Sequence, residues 1–211
     1  MKNLGFSEVV DVAIGADLCT IEEAKDFLEE VPAKQPWMGT SCCPAWSVMA
    51  KKLEANRKSV RSDVDFVLTF EELQGMFDAK DIDFATIEPG PDDNVDEGTG
   101  MGRGFAVGGG VAAAVVEAIK HMDPDREVKI EYGDGLRECR KMLAMAKAGK
   151  RDGYLLEGMA CPGGCVAGAG TIQPVKQSAV SVEKFKNDAA EMSCTVRPHL
   201  HRLEEVEERG E

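Results

Sequence analysis

Apolar positions along this chain fall into short runs separated by turn-forming residues, and the runs alternate between strand-like and helix-like patterns. In CTIEEAKDFLEEV, residues 19–31, Thr20 and Glu23 stand at capping-box spacing, which predicts a helix beginning at Ile21. Residues 34–46, KQPWMGTSCCPAW, are rich in turn formers and read as a loop, and SVMAKKLEANRKS after them reads as weakly helical. VDFVLT, residues 64–69, reads as a buried strand. Thr69 and Glu72 repeat the capping-box spacing at the head of FEELQGMF, so a strand is followed at once by a capped helix.

Residues 88–104, EPGPDDNVDEGTGMGRG, combine prolines, glycines and acidic residues and read as a surface loop that hinges two lobes. GGGVAAAVVEAIKHM then predicts a helix, EVKIEYG a strand, GLRECRKMLAMAKAG an amphipathic helix and GYLLEGMA a buried strand. A helical tail is expected from Val182, with LEEVEERGE frayed at its end. The fold class expected is α/β: one domain over residues 1–211, with lobes of roughly 1–87 and 105–211. Ligands in such folds sit at the carboxyl ends of strands, and GYLLEGMA runs directly into two cysteines.

Composition narrows the function. Hydrophobic residues make up 43% of the 211 positions, enough for a real core, and the net charge of −13 repels phosphate backbones and anionic lipid. Neither nucleic-acid binding nor a membrane span is expected, since no run approaches the ~20 apolar residues a span needs. The first residues, MKNLGFSEVVDVAIGADLCT, do not read as an export signal, so the cytoplasm is the expected compartment and seven cysteines are expected as thiols or metal ligands.

Four of those cysteines lie in glycine- or proline-bearing loops: Cys42 and Cys43 in TSCCPAW, Cys161 and Cys165 in MACPGGCVAG. Cys19, Cys139 and Cys194 read as small buried hydrophobes. Adjacent Cys42 and Cys43 do not suit one tetrahedral zinc, and none of the three histidines is near in sequence. CPGGC has one residue too many for a thioredoxin-like dithiol. An iron–sulfur cluster fits better, because it takes several thiolates and the glycines permit a bulky body to approach the backbone. GMGRGFAVGGG is no dinucleotide fingerprint: Gly100, Gly102 and Gly104 alternate and no strand precedes them.

TSCCPAW and EGMACPGGCVAGAG with the following Gln173-Pro174 resemble the first and third signatures of the iron-only, or [FeFe], hydrogenases. VVDVAIGADLCTIEEAKDFLEEV, GRGFAVGGGVAAAVVEAI and YLLEGMACPGG resemble the surrounding stretches of that family. The resemblance implies two α/β lobes with an H-cluster in the cleft between them, a [4Fe–4S] cubane joined to a two-iron unit bearing CO, cyanide and a dithiolate. It implies Cys43 and Cys161 as cubane ligands, Cys165 as the bridging thiolate, Met159 beside the two-iron unit, and Cys42 as the last proton relay. Glu23 and Asp26 would continue the proton path, and Lys51 would hydrogen-bond a cyanide. The implied partners are H₂ and protons, a separate electron carrier such as ferredoxin or another subunit, and cofactor maturation proteins; the implied setting is anaerobic hydrogen metabolism.

The second signature departs from the family. VMAKKLEANR keeps Lys51 and Glu54 at the right spacing, but Val48 stands where the family has a cubane cysteine and Ser47 where it has a proline. The segment that separates the first two signatures is missing, since Trp46 runs straight into Ser47. Its loss is expected to leave apolar surface of the first lobe uncovered. Three outcomes stay open from sequence: a small hydrogenase, a non-catalytic or sensory iron–sulfur relative, and an inactive truncated copy.

Overall fold

Three parallel strands flanked by helices on both faces form the centre of the structure, a computed structural model that describes residues 1–53, 67–84, 86–88, 90 and 97–196. The strands are β1 (Trp37–Thr40), β2 (Lys129–Asp134) and β3 (Tyr154–Met159), in the order β1-β3-β2. Successive side chains of β3 point to opposite faces. Leu155 enters a core with Ile21, Ala24 and Phe27 of α1 (Ala13–Glu30) and with Val115, Ala118 and Ile119 of α5 (Gly110–Met122). Leu156 enters another, with Trp46 of α2 (Pro44–Leu53) and Met142, Leu143 and Ala146 of α6 (Leu136–Lys147). A central parallel strand covered on both sides explains why YLLEGM reads as a continuous buried run. The α/β expectation holds.

The capped helix predicted after Thr69 is present as α3 (Phe70–Asp78): Thr69 Oγ1 accepts from the Glu72 N–H at 3.1 Å, and the Glu72 carboxylate accepts from the Thr69 N–H at 2.8 Å. The equivalent pattern at Thr20 is not a cap. The helix already begins at Ala13, whose N–H donates to the Asp11 carboxylate at 2.9 Å, and the Thr20 hydroxyl bonds back to the Ala16 carbonyl. Asp17 holds these early turns by accepting from the Thr99 N–H (2.8 Å) and hydroxyl (2.5 Å), a tie across 82 residues that no local pattern announces.

Three other expectations are corrected. The supposed loop 34–46 contains β1 and the start of α2, because pairing with β3 satisfies the backbone of a segment too short to show a period. Of VDFVLT, residues 64–66 lie outside the described residues, and Val67 and Leu68 are exposed without strand pairing. Thr99 and α4 (Gly100–Arg103), expected in a surface loop, are buried under α1. Glycine explains that approach: a Cβ on Gly102 would stand 2.6 Å from the Ala13 carbonyl oxygen. The tail helix, α7 (Val175–Asn187), begins seven residues before Val182, and LEEVEERGE lies outside the described residues.

Phe27 is fully buried, and a Cβ on Gly158 would stand 2.5 Å from the Trp46 ring. Phe27→Ala is therefore expected to cost about 3–5 kcal/mol through the cavity it leaves. Gly158→Ala is expected to cost about 1–3 kcal/mol through overpacking, whereas Val180→Ala on the exposed face of α7 should stay within about 0.5 kcal/mol. Urea unfolding followed by circular dichroism measures all three.

Candidate metal centre

Two loops leave the same edge of the sheet. β1 ends at Thr40 and runs into Ser41-Cys42-Cys43; β3 ends at Met159 and runs into Cys161 and Cys165. The strands are parallel neighbours, with Thr40 opposite Glu157, so their carboxyl ends emerge side by side. Ser41 stitches the loops: its hydroxyl donates to the Gly158 carbonyl at 2.6 Å and accepts from the Cys43 N–H at 2.9 Å.

The sulfurs follow this scaffold. The Cys42 Sγ lies 4.0 Å from the Phe105 carbonyl oxygen, and its coupling to Cys165 pulls Cys165 down to about 6 and pushes Cys42 upward. Cys165 is thus the thiolate of the pair and Cys42 the proton holder. Cys43 is half-buried, set between the cluster of Trp46 and Cys139 and the cluster of Phe105, Val111, Ala114 and Met159. Met159 is buried, with its sulfur 4.0 Å from Ser41 Oγ. Cys161 is half-buried and Cys165 exposed.

The glycines of CPGGC have a use that differs from the expected one. Gly163 and Gly164 take φ of +97° and +95°, and a Cβ on Gly164 would stand 2.6 Å from the Gly108 nitrogen. The Gly108 N–H donates to the Gly163 carbonyl at 3.2 Å, and the Gly163 N–H donates to Asp134 at 2.8 Å. At Gly164 the bulky neighbour is therefore the chain itself, in the glycine-rich run before α5.

A carboxylate pair lies behind the loops. Glu157 is fully buried and accepts from the N–H groups of Gly109 (2.9 Å) and Ala112 (2.7 Å), at the positive end of α5. The Thr40 hydroxyl donates to Glu23. Burial raises the Glu23 pKa, and Asp26 and Glu157 raise it further against the Thr40 bond. Burial also raises the Glu157 pKa, against its backbone donors. Asp26 lies exposed three residues beyond Glu23 on the same helix face. Sequence reading missed Thr40, Ser41 and Glu157; a charge inside the apolar run YLLEGM was the available signal.

The remaining expected residues are scattered. Lys51 falls in the last turn of α2 with its side chain outside the described residues, as is all of Glu54. Cys139 is buried, its thiol donating to the carbonyls of Gly133 (3.2 Å) and Met159 (3.5 Å), and burial pushes it up to about 11. Cys194 is buried in the α1–α5 core, whereas Cys19 is exposed, contrary to its reading as a buried hydrophobe.

Among the described residues, no three His, Cys, Asp or Glu side chains stand together to hold a single metal ion. The donors are thiols divided between two adjoining loops. That donor set fits a multi-iron body, which takes a thiolate at each of several corners.

Fold and loops together define a parallel α/β protein with four cysteines in two adjoining loops at one sheet edge. The family model for the iron-only hydrogenase large subunit, C-terminal domain, matches residues 1–50 and 47–169, and the chain belongs to that family. It is 28% identical to the periplasmic [Fe] hydrogenase large subunit of Nitratidesulfovibrio vulgaris, over 83% of this chain and 61% of that one. It is 27% identical to the NADP-reducing hydrogenase subunit HndD of Solidesulfovibrio fructosivorans, over 87% and 46% respectively. A probable cytosolic Fe-S cluster assembly factor of Aedes aegypti is 24% identical over 82% of this chain and 55% of its own length. A variant of [FeFe]-hydrogenase HydA1 from Chlamydomonas reinhardtii shares the fold, with a TM-score of 0.64 at 20% identity, covering 97% of this chain and 81% of that one. The chain thus spans about half to three fifths of these curated relatives. The alignment to the periplasmic subunit runs over 259 residues, more than the 211 of this chain, so that relative carries segments absent here.

Because the folded-state pKa of Glu23 is raised above the ordinary ~4.3 of a glutamate, the folded chain holds that proton more tightly than the unfolded chain. The associated stability is complete below about pH 4.3 and is lost as pH rises through the raised value. Glu23→Gln is expected to flatten the fall in unfolding free energy as pH rises above about 4.3, leaving the slope that Glu157 contributes. Urea denaturation across that range measures it.

Proposed function

We propose that this chain is the cluster-bearing part of a hydrogenase-type oxidoreductase that interconverts H₂ with two protons and two electrons. The observation that carries this reading is that the 41–43 and 161–165 cysteine loops leave the same edge of the parallel sheet, joined by Ser41, with a half-buried, protonatable Glu23 behind them. In this reading Cys43, Cys161 and Cys165 hold an H-cluster, with Met159 keeping water from its two-iron unit and Lys51 as a hydrogen-bond donor toward it. When bound, that cluster supplies the Lewis-acidic iron and the electron store for the reaction.

The chain's own residues hold and pass protons. In the metal-free chain Cys42 is the proton holder of the pair, since its coupling to Cys165 pushes its thiol upward. Glu23 favours its neutral form through burial, oriented by the Thr40 hydroxyl, so it carries a proton at a higher pH than an exposed carboxyl does. Asp26, exposed on the next turn, exchanges with water. Electrons come from a separate carrier such as ferredoxin or a partner subunit. No helix among the described residues is long and apolar enough to cross a membrane. Seven reduced cysteines suit the cytoplasm, although one relative is named periplasmic. We retain the division into lobes of about 1–87 and 105–211, the first reduced in size.

A second reading, a protein that binds a cubane without H₂ chemistry, is favoured by Val48 at the position of a family ligand and by the assembly-factor relative. Anaerobic maturation with the two-iron cofactor separates the two. Turnover predicts infrared bands of CO and cyanide and H₂-dependent dye reduction; about four irons and four sulfides per chain without those bands would select the second reading. In the first case Cys42→Ser is expected to cut dye reduction by about 10²-fold or more, with iron content and infrared bands unchanged.

A further inference from the structure

We propose that Asp134, aimed by Tyr132, is a positioning residue for the 161–165 loop: one carboxylate oxygen holds the glycine turn between Cys161 and Cys165 and so fixes where the two thiols stand. The proposal deepens the hydrogenase-type reading by naming what sets its cysteine loop. It is built from contacts of the chain with itself, and only the last of its tests rests on that reading.

The turn closes through the Gly164 N–H, which donates to the Cys161 carbonyl at 2.9 Å. Gly163 and Gly164 both take positive φ. Glycines lose more conformational freedom on being ordered than any other residue, and they carry no side chain to hold them in place. Such a turn keeps one shape only when its neighbours fix it.

Two neighbours do so. On one side the run before α5 presents Gly108, whose N–H donates to the Gly163 carbonyl. On the other lies the carboxyl end of β2, where Asp134 stands opposite Met159. Asp134 Oδ1 accepts from the Gly163 N–H at 2.8 Å and from the Tyr132 hydroxyl at 2.8 Å. A carboxylate is a strong acceptor for a backbone N–H. Tyr132 and Asp134, two residues apart, share one face of the strand. The Tyr132 ring is itself fixed: it packs with Phe105, Val111 and Met159, and its hydroxyl occupies the space that a Cβ on Gly108 would need. Burial and the carboxylate raise the Tyr132 pKa, so the phenol stays a donor. Gly135 completes the join, donating its N–H to the Met159 carbonyl at 2.9 Å and leaving room for the Pro162 ring. Asp134 is exposed and fills no part of the core, so its removal acts on the loop rather than on the fold.

The test compares Asp134→Ala, Asp134→Asn and Tyr132→Phe with the wild type, each as the reduced full chain. Amide exchange at Gly163, read by nuclear magnetic resonance, and alkylation of Cys161 by iodoacetamide, read by mass spectrometry, report the loop; alkylation of the buried Cys194 reports the core. Asp134→Ala is expected to speed both loop readouts by about tenfold or more, with Cys194 still protected. Asp134→Asn keeps an acceptor oxygen and is expected to stay within about threefold of the wild type. Tyr132→Phe, which removes the donor that aims the carboxylate, is expected to fall between them. Wild-type rates in Asp134→Ala overturn the proposal, as do Asp134→Asn rates equal to those of Asp134→Ala. Exposure of Cys194 in Asp134→Ala also overturns it, by placing the residue in the fold rather than in the loop. Wild-type rates in Tyr132→Phe overturn the aiming role of Tyr132. The same proteins are then loaded anaerobically with ferrous iron and sulfide, and Asp134→Ala is expected to release iron to a chelator faster than the wild type and Asp134→Asn do. Equal release from all three overturns the part of the turn in holding metal. A wild type that takes up no iron removes the hydrogenase-type reading and leaves the positioning of the loop, measured without metal, standing.

Discussion

The parallel pairing of β1 with β3 is the constraint on which the site depends. Without it the 42–43 and 161–165 loops, more than a hundred residues apart in sequence, have no reason to share an edge. β1 has four residues, too few to hold its place by backbone pairing alone. Side-chain fixtures at its end complete the attachment: Ser41 binds the Gly158 carbonyl, and the Trp46 ring lies over Gly158 where no Cβ intervenes. The same few residues that dock α2 thereby set the position of the cysteines before it. Sulfur geometry here is a consequence of sheet edge and helix docking rather than of the cysteine loops themselves.

Glu157 extends that constraint to the other face. An unpaired buried carboxylate carries a penalty of several kcal/mol, and the field of a helix N-terminus returns at most about 2 kcal/mol. Burial wins, which accounts for the upward direction at Glu157 even with backbone donors from Gly109 and Ala112. The result ties the end of β3 to the first turn of α5. The glycine run preceding that helix is held against Gly163 and Gly164, so α5, β3 and the cysteine loop are joined to one another. Through its charge, Glu157 also favours the protonated form of Glu23, which links the packing of the sheet to the protonation of α1.

The elements legible in sequence were those whose signal is local. The Thr69–Glu72 capping box, the apolar run of β3, the strand pattern of β2, and the helices at 110–122 and 136–147 each carry their pattern within about a dozen residues. The signature cysteines were legible through family likeness, and the sheet brings their two loops to one edge. What failed was set by distance. Thr20 sits at capping spacing inside a helix whose start is fixed by Asp11 and by Asp17 reaching Thr99. β1 exists because β3 is beside it, and Thr99 is buried because Gly98 and Gly102 let α1 approach. Glu157 was visible as a charge in an apolar run, yet its partners come from α5, 45 and 48 residues earlier.

The shortened first half resolves one problem and creates another. The family match breaks and resumes around residues 47–50, inside α2 and just after Trp46. Trp46 is buried against β3 and α6, so the helix that follows the cysteines directly covers the second face of the sheet. Closing the core in this way leaves the outward residues of the first half without cover: Val67 is 84% exposed and Phe70 63%, with Phe84 and Ile87 also exposed. Surface of that kind is what removal of an intervening segment is expected to leave. The core of the sheet closes without the intervening segment because the Trp46 ring packs across to β3 and α6.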